Sequence, residues 1–182
     1  MKKTICLYCG ARAGLSPRFA QVAAEFGAAV AGRGWCLVYG GGSIGLMGVA
    51  ARTALAAGGE VVGIIPRGLL EREQGLEDVS ELIVTESLRE RKGIMFDRSD
   101  AFVALPGGFG TLEEVVETLT LRQLRYHNKP IYFLNPDGFF DPLLAFFDHA
   151  VASGFVHPDH LSLFAVFPDV SSLMAQLEQM NI

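Results

Sequence analysis

Short apolar runs recur along the chain, each followed by a turn and then by a longer amphipathic stretch. The runs are Thr4 to Tyr8, Trp35 to Tyr39, Glu60 to Ile65, Glu81 to Thr85, Ala101 to Leu105, Pro130 to Leu134 and Leu163 to Phe167. The clearest of them, Ala101 to Leu105, is apolar throughout between Asp100 and Pro106. That is the pattern of a strand buried on both faces of a parallel sheet. Between the runs the spacing predicts helices. Ser16 is a good N-cap, and Pro17 suits the first helical position. That helix reaches about Arg33, carries Ala20, Ala23, Ala24, Phe26, Gly27 and Val30 on its apolar side, and stops at Gly34. Ile44 to Ala57 is a small-residue helix closed by Gly58 and Gly59. Ser87 to Glu90 has capping-box spacing and opens a helix to about Ser99. Further helices are expected from Thr111 to about Tyr126, from Phe139 to Ser153 and from Val170 to Met180. Arg67 to Ser80 is polar without a clear period and reads as a loop or short helix, a candidate flap near the site.

Strands and helices alternate without a linker or an internal repeat. The expectation is one domain over residues 1–182, a doubly wound α/β fold with a mostly parallel, Rossmann-like sheet and helices on both faces. Ligands in such sheets bind beyond the carboxyl ends of the strands.

Composition narrows the function. Hydrophobic residues make up 50% of the 182 and charged ones only 19%, a surplus of apolar surface that points to a buried subunit interface. The net charge of −5 and the absence of a basic run argue against a general nucleic-acid binder. Met1-Lys2-Lys3 leads straight into a strand rather than a signal peptide, and no apolar segment is long enough to span a bilayer, so a cytoplasmic protein is expected. Cys6 and Cys9 have C-x-x-C spacing, but on a strand an offset of three puts them on opposite faces. With Cys36 they read as small buried hydrophobes. The histidines fall beside no glycine turn, and no metal-ligand spacing is present. Phe139-Phe140 and Phe146-Phe147 read as core or interface.

Two glycine turns carry the candidate chemistry. Gly40-Gly41-Gly42-Ser43-Ile44-Gly45 matches G-x-G-x-x-G after a strand. A dinucleotide site wants an acid at the end of the next strand, where this chain has Ile64-Ile65-Pro66-Arg67. The turn is read as phosphate-binding, against the plainer reading of tight helix–sheet packing. In the second turn, Pro106, Gly107, Gly108 and Gly110 link a strand to a helix, an anion site made of free N–H groups and a positive helix end. Glu113, Glu114 and Glu117 lie beside it. Thr111 and Glu114 have capping-box spacing, which competes with a chemical role for Glu114. Arg91-Lys92 is either a solvated helix face or, since this helix precedes the strand of the second turn, a pair that reaches a phosphate.

Pro106-Gly107-Gly108-Phe109-Gly110-Thr111-Leu112-Glu113-Glu114 resembles the P-G-G-x-G-T-x-x-E signature of the LOG ("lonely guy") family, cytokinin riboside 5′-monophosphate phosphoribohydrolases formerly termed lysine decarboxylase-like. Arg91-Lys92 stands where that family has R-K, Gly40 to Gly48 resembles its other glycine turn, and the resemblance extends through Asn135 to Phe139. It implies a homodimer with sites near the interface. It also implies hydrolysis of the N-glycosidic bond of a nucleoside 5′-monophosphate, with neither metal nor cofactor. By position Arg91 and Glu114 would be the catalytic pair. Lys92, Gly41, Gly42, Gly107, Gly108, Gly110, Thr111, Glu113 and Thr120 would line the nucleotide site. The chain departs from the family at Leu88 and Arg89, where Met and His are frequent, and at Ala11, where serine is common; these bear on base preference and on one phosphate contact. Two other readings remain open: a carrier of a nucleotide or molybdenum cofactor, and an NAD-dependent enzyme, which the missing acid disfavours.

Overall fold

The structure, a computed structural model, describes residues 2–70, 75–76 and 78–180. The apolar runs form strands β1 (Thr4–Tyr8), β2 (Cys36–Tyr39), β3 (Glu60–Pro66), β4 (Glu81–Thr85), β5 (Ala101–Ala104), β6 (Ile131–Leu134) and β7 (Ala165–Phe167). They join in one 7-stranded sheet of order β4-β3-β2-β1-β5-β6-β7, and every strand pairing is parallel. The helices are α1 (Pro17–Gly32), α2 (Gly45–Ala56), α3 (Arg67–Leu70), α4 (Leu88–Asp97), α5 (Phe109–Gln123), α6 (Asp141–Ala152) and α7 (Val170–Glu178). Short 3₁₀ turns at Pro136–Gly138 and Pro158–Leu163 delay α6 and β7 relative to the sequence pattern. The candidate flap is partly formed by α3; residues 71–74 and 77 lie outside the described residues. No described helix is long and apolar enough to cross a membrane.

The period-2 alternation of the strands divides the core into two layers. Ile5, Leu7, Leu37, Tyr39, Val61 and Val103 face one side, with α1, α2 and α7. Cys6, Tyr8, Val38, Ile64, Phe102 and Phe133 face the other, with Met95 of α4 and Val115 of α5. Cys6 and Cys9 fall in different layers, as their offset requires, and all three cysteines are free and buried. Burial pushes the Cys36 thiol up to about 11 and the Cys6 thiol further. Phe140 is core, whereas Phe146 is exposed.

Small residues let α1 and α2 come close. Gly27 of α1 rests on the backbone of Ala50 in α2, and any Cβ at Gly27 would collide with the Ala50 carbonyl. The helix ends follow their caps. Ser16 accepts from the Arg18 N–H at 3.3 Å, and Gly34 leaves α1 at φ +67°. Ser87 accepts from the Glu90 N–H at 3.1 Å, while the Glu90 carboxylate reaches the Glu86 N–H at 2.9 Å.

Candidate active site

Connections from β1 to β4 wind outward on one side of the sheet, and those from β5 to β7 on the other. The turns leaving β1 and β5 therefore diverge, and a crevice opens where a doubly wound sheet holds its ligands. A cavity of about 530 Å³ lies there, lined by the turn from Cys9 to Gly14, the turn from Pro106 to Thr111, and Phe19, Leu46, Met47, Arg91, Glu114 and Phe139. The two turns are bolted together. The Gly10 N–H donates to the Pro106 carbonyl at 3.0 Å, and the Leu46 N–H of α2 donates to the Gly10 carbonyl at 3.0 Å. Gly107 packs under the Thr111 side chain, where a Cβ would collide with Oγ1.

The start of α5 corrects the capping-box expectation. The helix begins at Phe109, and its N-cap is Gly108, which has no side chain to cap with. Thr111 and Glu114 are thus inside the helix, and no acidic residue occupies its first turn. The glycines let the chain enter the helix three residues early, and the first-turn backbone borders the cavity instead of a capping oxygen. Glu114 is not a helix cap.

Glu114 instead meets Arg91 of α4. Its Oε1 forms an ion pair with Arg91 Nη2 at 3.1 Å, with side-chain exposures of 10% and 8%. The Arg91 guanidinium lies against Gly40 at the end of β2, where a Cβ would collide with Nη2. The solvated-face reading of Arg91 is therefore corrected: glycine at position 40 makes the room in which it is buried. Its Nε–H has no hydrogen-bond partner among the described residues, a site where a ligand could complete the pattern. Thr118, one turn beyond Glu114, donates to the Glu114 carbonyl at 2.8 Å and meets the Tyr8 hydroxyl at 3.2 Å, which holds α5 on β1. Burial and the nearby Glu114 charge push the Cys9 thiol well above its usual range. Cys9 is thus a neutral wall residue rather than a nucleophile.

Arg91, Gly107, Gly108, Gly110, Thr111 and Glu114 come together on the cavity wall. Lys92, Glu113, Thr120, Gly41 and Gly42 do not. Lys92 pairs with Glu113 and, at 2.8 Å, with Glu117, on a different side of α4 from Arg91. Burial works against the Lys92 ammonium, but its two carboxylate partners outweigh this and raise its pKa. Thr120 is exposed and donates to the Val116 carbonyl at 2.8 Å. Gly41, at φ +77°, packs against Ile64 and Ile65 and accepts from the Leu76 N–H at 3.0 Å. Gly42 forms an isolated bridge with Gly75. The first glycine turn thus serves close packing and Arg91's berth. Arg12, Phe19, Met47 and Phe139 also line the cavity; the switch-point rule points to the turn after β1, but no local pattern signals the approach of Phe139. Among the described residues no group of three His, Cys, Asp or Glu could hold a metal ion.

The model of a protein family described as "Possible lysine decarboxylase" matches residues 47–177. The chain is 48% identical over 177 residues to a probable cytokinin riboside 5′-monophosphate phosphoribohydrolase of Oryza sativa subsp. japonica, covering 97% of this chain and 78% of the relative. It is 44% identical over 177 residues to the cytokinin riboside 5′-monophosphate phosphoribohydrolase LOG of the same organism, covering 97% and 73%. Among solved structures, the molybdenum cofactor carrier protein of Chlamydomonas reinhardtii superposes with a TM-score of 0.75 at 28% identity, over 98% of each chain. With its signature turn folded around the buried Arg91–Glu114 pair, the chain belongs to the LOG family of cytokinin riboside 5′-monophosphate phosphoribohydrolases.

Proposed function

We propose that the chain is a nucleoside 5′-monophosphate phosphoribohydrolase. It hydrolyses the N-glycosidic bond of adenosine 5′-monophosphate or an N6-modified derivative, as in cytokinin activation. The observation that carries this reading is the buried Arg91–Glu114 pair at the wall of a cavity whose floor is a glycine turn and an uncapped helix N-terminus. The turn and the positive end of α5 suit a phosphate. Glu114 suits the sugar. Breaking a ribosyl–base bond develops positive charge on the ribose, which a carboxylate stabilises while it orients or deprotonates the attacking water. Water adds its hydroxyl to C1′, and a proton goes to the departing base. Arg91 pairs with the carboxylate and fixes its orientation. Phe19, Leu46, Met47, Phe109 and Phe139 supply apolar wall for a planar base and an apolar substituent on it. Phosphate binding far from the reacting carbon positions the sugar.

The unit that does this is the whole chain, 1–182, as one nucleotide-binding domain in the cytoplasm. Phe109, Val116, Leu124 and Tyr126 leave apolar surface exposed along α5 and its end, which supports a homodimer with sites near the interface. The test is incubation with a panel of nucleoside 5′-monophosphates followed by chromatography for free base. Release from none of them, by folded protein that binds nucleotide, refutes the reading.

A second reading, a carrier of a nucleotide or molybdenum cofactor, draws on the likeness to the Chlamydomonas reinhardtii protein. A carrier has little use for a buried carboxylate beside an anion site. Mass spectrometry of ligand retained through purification separates the two readings.

A further inference from the structure

Arg12 lies in the turn between β1 and α1, on the wall of the cavity. Its side chain is exposed and makes no hydrogen bond or ion pair with the described residues. The backbone beneath it is fixed. Gly10, two residues earlier, is tied to Pro106 and Leu46, each at 3.0 Å. Gly45, at φ +61°, lies so close under Ala11 and Arg12 that a Cβ there would collide with both backbones. Gly14, at φ +75°, turns the chain back over Phe19, and a Cβ there would come within 2.7 Å of the ring. A closely packed turn thus holds a long cationic arm on the wall of the cavity that the start of α5 also lines.

The charge balance of the cavity explains what the arm is for. A phosphomonoester carries a charge of about −1.5 to −2 near neutral pH. Arg91 is committed to Glu114, and Lys92 is held by Glu113 and Glu117 away from the cavity. The N-terminus of α5 contributes the equivalent of about half a positive charge. Among the charged side chains that line the cavity, Arg12 alone is not already paired within the described residues. Its planar guanidinium can grip two phosphate oxygens at once.

We propose that Arg12 clamps the 5′-phosphate of the substrate from the rim and thereby sets the preference for nucleoside 5′-monophosphates over nucleosides. This rests on the nucleotide reading of the site given above. The role belongs to binding rather than to bond cleavage, since the phosphate is remote from the reacting carbon.

Calorimetric titration of AMP and of adenosine into the parent protein, Arg12→Ala and Arg12→Lys tests it. Loss of a charge-assisted hydrogen bond predicts AMP affinity weaker by about tenfold to a hundredfold in Arg12→Ala. Adenosine affinity should stay at the parent value, and Arg12→Lys should recover part of the loss by restoring charge without the fork. Unchanged AMP affinity in Arg12→Ala, an equal loss for adenosine, or no recovery with lysine would each overturn the proposal. The three proteins are titrated with Glu114→Gln also in place, so that binding is read without turnover. Loss of the AMP preference in Arg12→Ala, with no base released from AMP by the protein that keeps Glu114, contradicts the hydrolase reading and leaves the clamp standing.

Discussion

Glu114→Gln separates the chemistry of the carboxylate from its part in holding the fold. The Arg91–Glu114 contact of 3.1 Å between side chains about nine-tenths buried corresponds to roughly 5 kcal/mol of gross attraction at an effective dielectric near 20. Desolvation offsets much of that. Truncation to alanine would leave Arg91 as an uncompensated buried cation, at a cost of about 3–5 kcal/mol. Glutamine keeps an acceptor for Nη2 and the same shape. It exchanges the ion pair for a neutral polar contact, a loss of about 1–2 kcal/mol that leaves the fold intact. The turnover number should fall by at least about a hundredfold, the low end of what a positioned acid or base supplies. Nucleotide affinity should not fall, because removing a negative charge from the cavity wall favours a phosphate. Differential scanning calorimetry checks the fold, titration with AMP checks binding, and chromatographic assay of free base checks the rate. A glutamine variant that melts normally and releases base at the parent rate would refute the assignment of Glu114 to the chemistry.

Gly40→Ala would drive a Cβ into the Arg91 guanidinium, which can swing aside only by leaving Glu114; turnover should fall by about a hundredfold for a displacement near 1 Å, with circular dichroism unchanged. Gly27→Ala meets backbone rather than a side-chain end, so α1 and α2 must separate, and urea denaturation should show a loss of about 1–3 kcal/mol with activity of the folded fraction intact. His127 should make the protein weaker in acid. Its Nδ1 accepts from the Lys129 N–H at 3.1 Å and its Nε2–H donates to the Thr118 carbonyl at 3.0 Å, so a second ring proton has no place. Burial lowers its pKa below the usual 6.5, the Thr118 carbonyl opposes this, and the charges of Arg122 and Lys129 add to the lowering. The unfolded chain therefore takes up the proton first. The stability contribution is present above pH 6.5 and is lost as pH falls through the depressed native value. Urea midpoints measured from about pH 7.5 down to about pH 5 should fall less steeply in His127→Gln than in the parent.

The sheet was legible because parallel strands buried on both faces read as apolar runs, and because glycine and proline mark their ends. The second turn was legible for the same reason. Asp100 to Thr111 contains strand, turn and helix start within one local stretch. What escaped was whatever depends on an exact helix start or on contacts between distant segments. Thr111 and Glu114 have the spacing of a capping box, yet Gly108 and Gly110 let α5 begin earlier, and one helical turn of difference moves Glu114 from a cap to the cavity wall. Arg91 and Lys92 are neighbours in sequence and diverge on α4, one toward Glu114 and one toward Glu113 and Glu117. The family resemblance, not the spacing, assigned both to the site. Gly41 and Gly42 fit a phosphate-turn pattern, but their glycine character answers to Ile64, Ile65 and Gly75 nearby. Phe139, just past the 3₁₀ turn that follows β6, meets Phe19 with ring centroids 5.6 Å apart, a contact no local pattern encodes.

The most direct test of the central claim is the product ratio when the parent protein is incubated with AMP and with its N6-prenylated derivative. Free base and ribose 5-phosphate should appear in equal amounts from at least one of the two. Nucleotide bound but recovered whole in both cases, from protein shown to be folded, would contradict it.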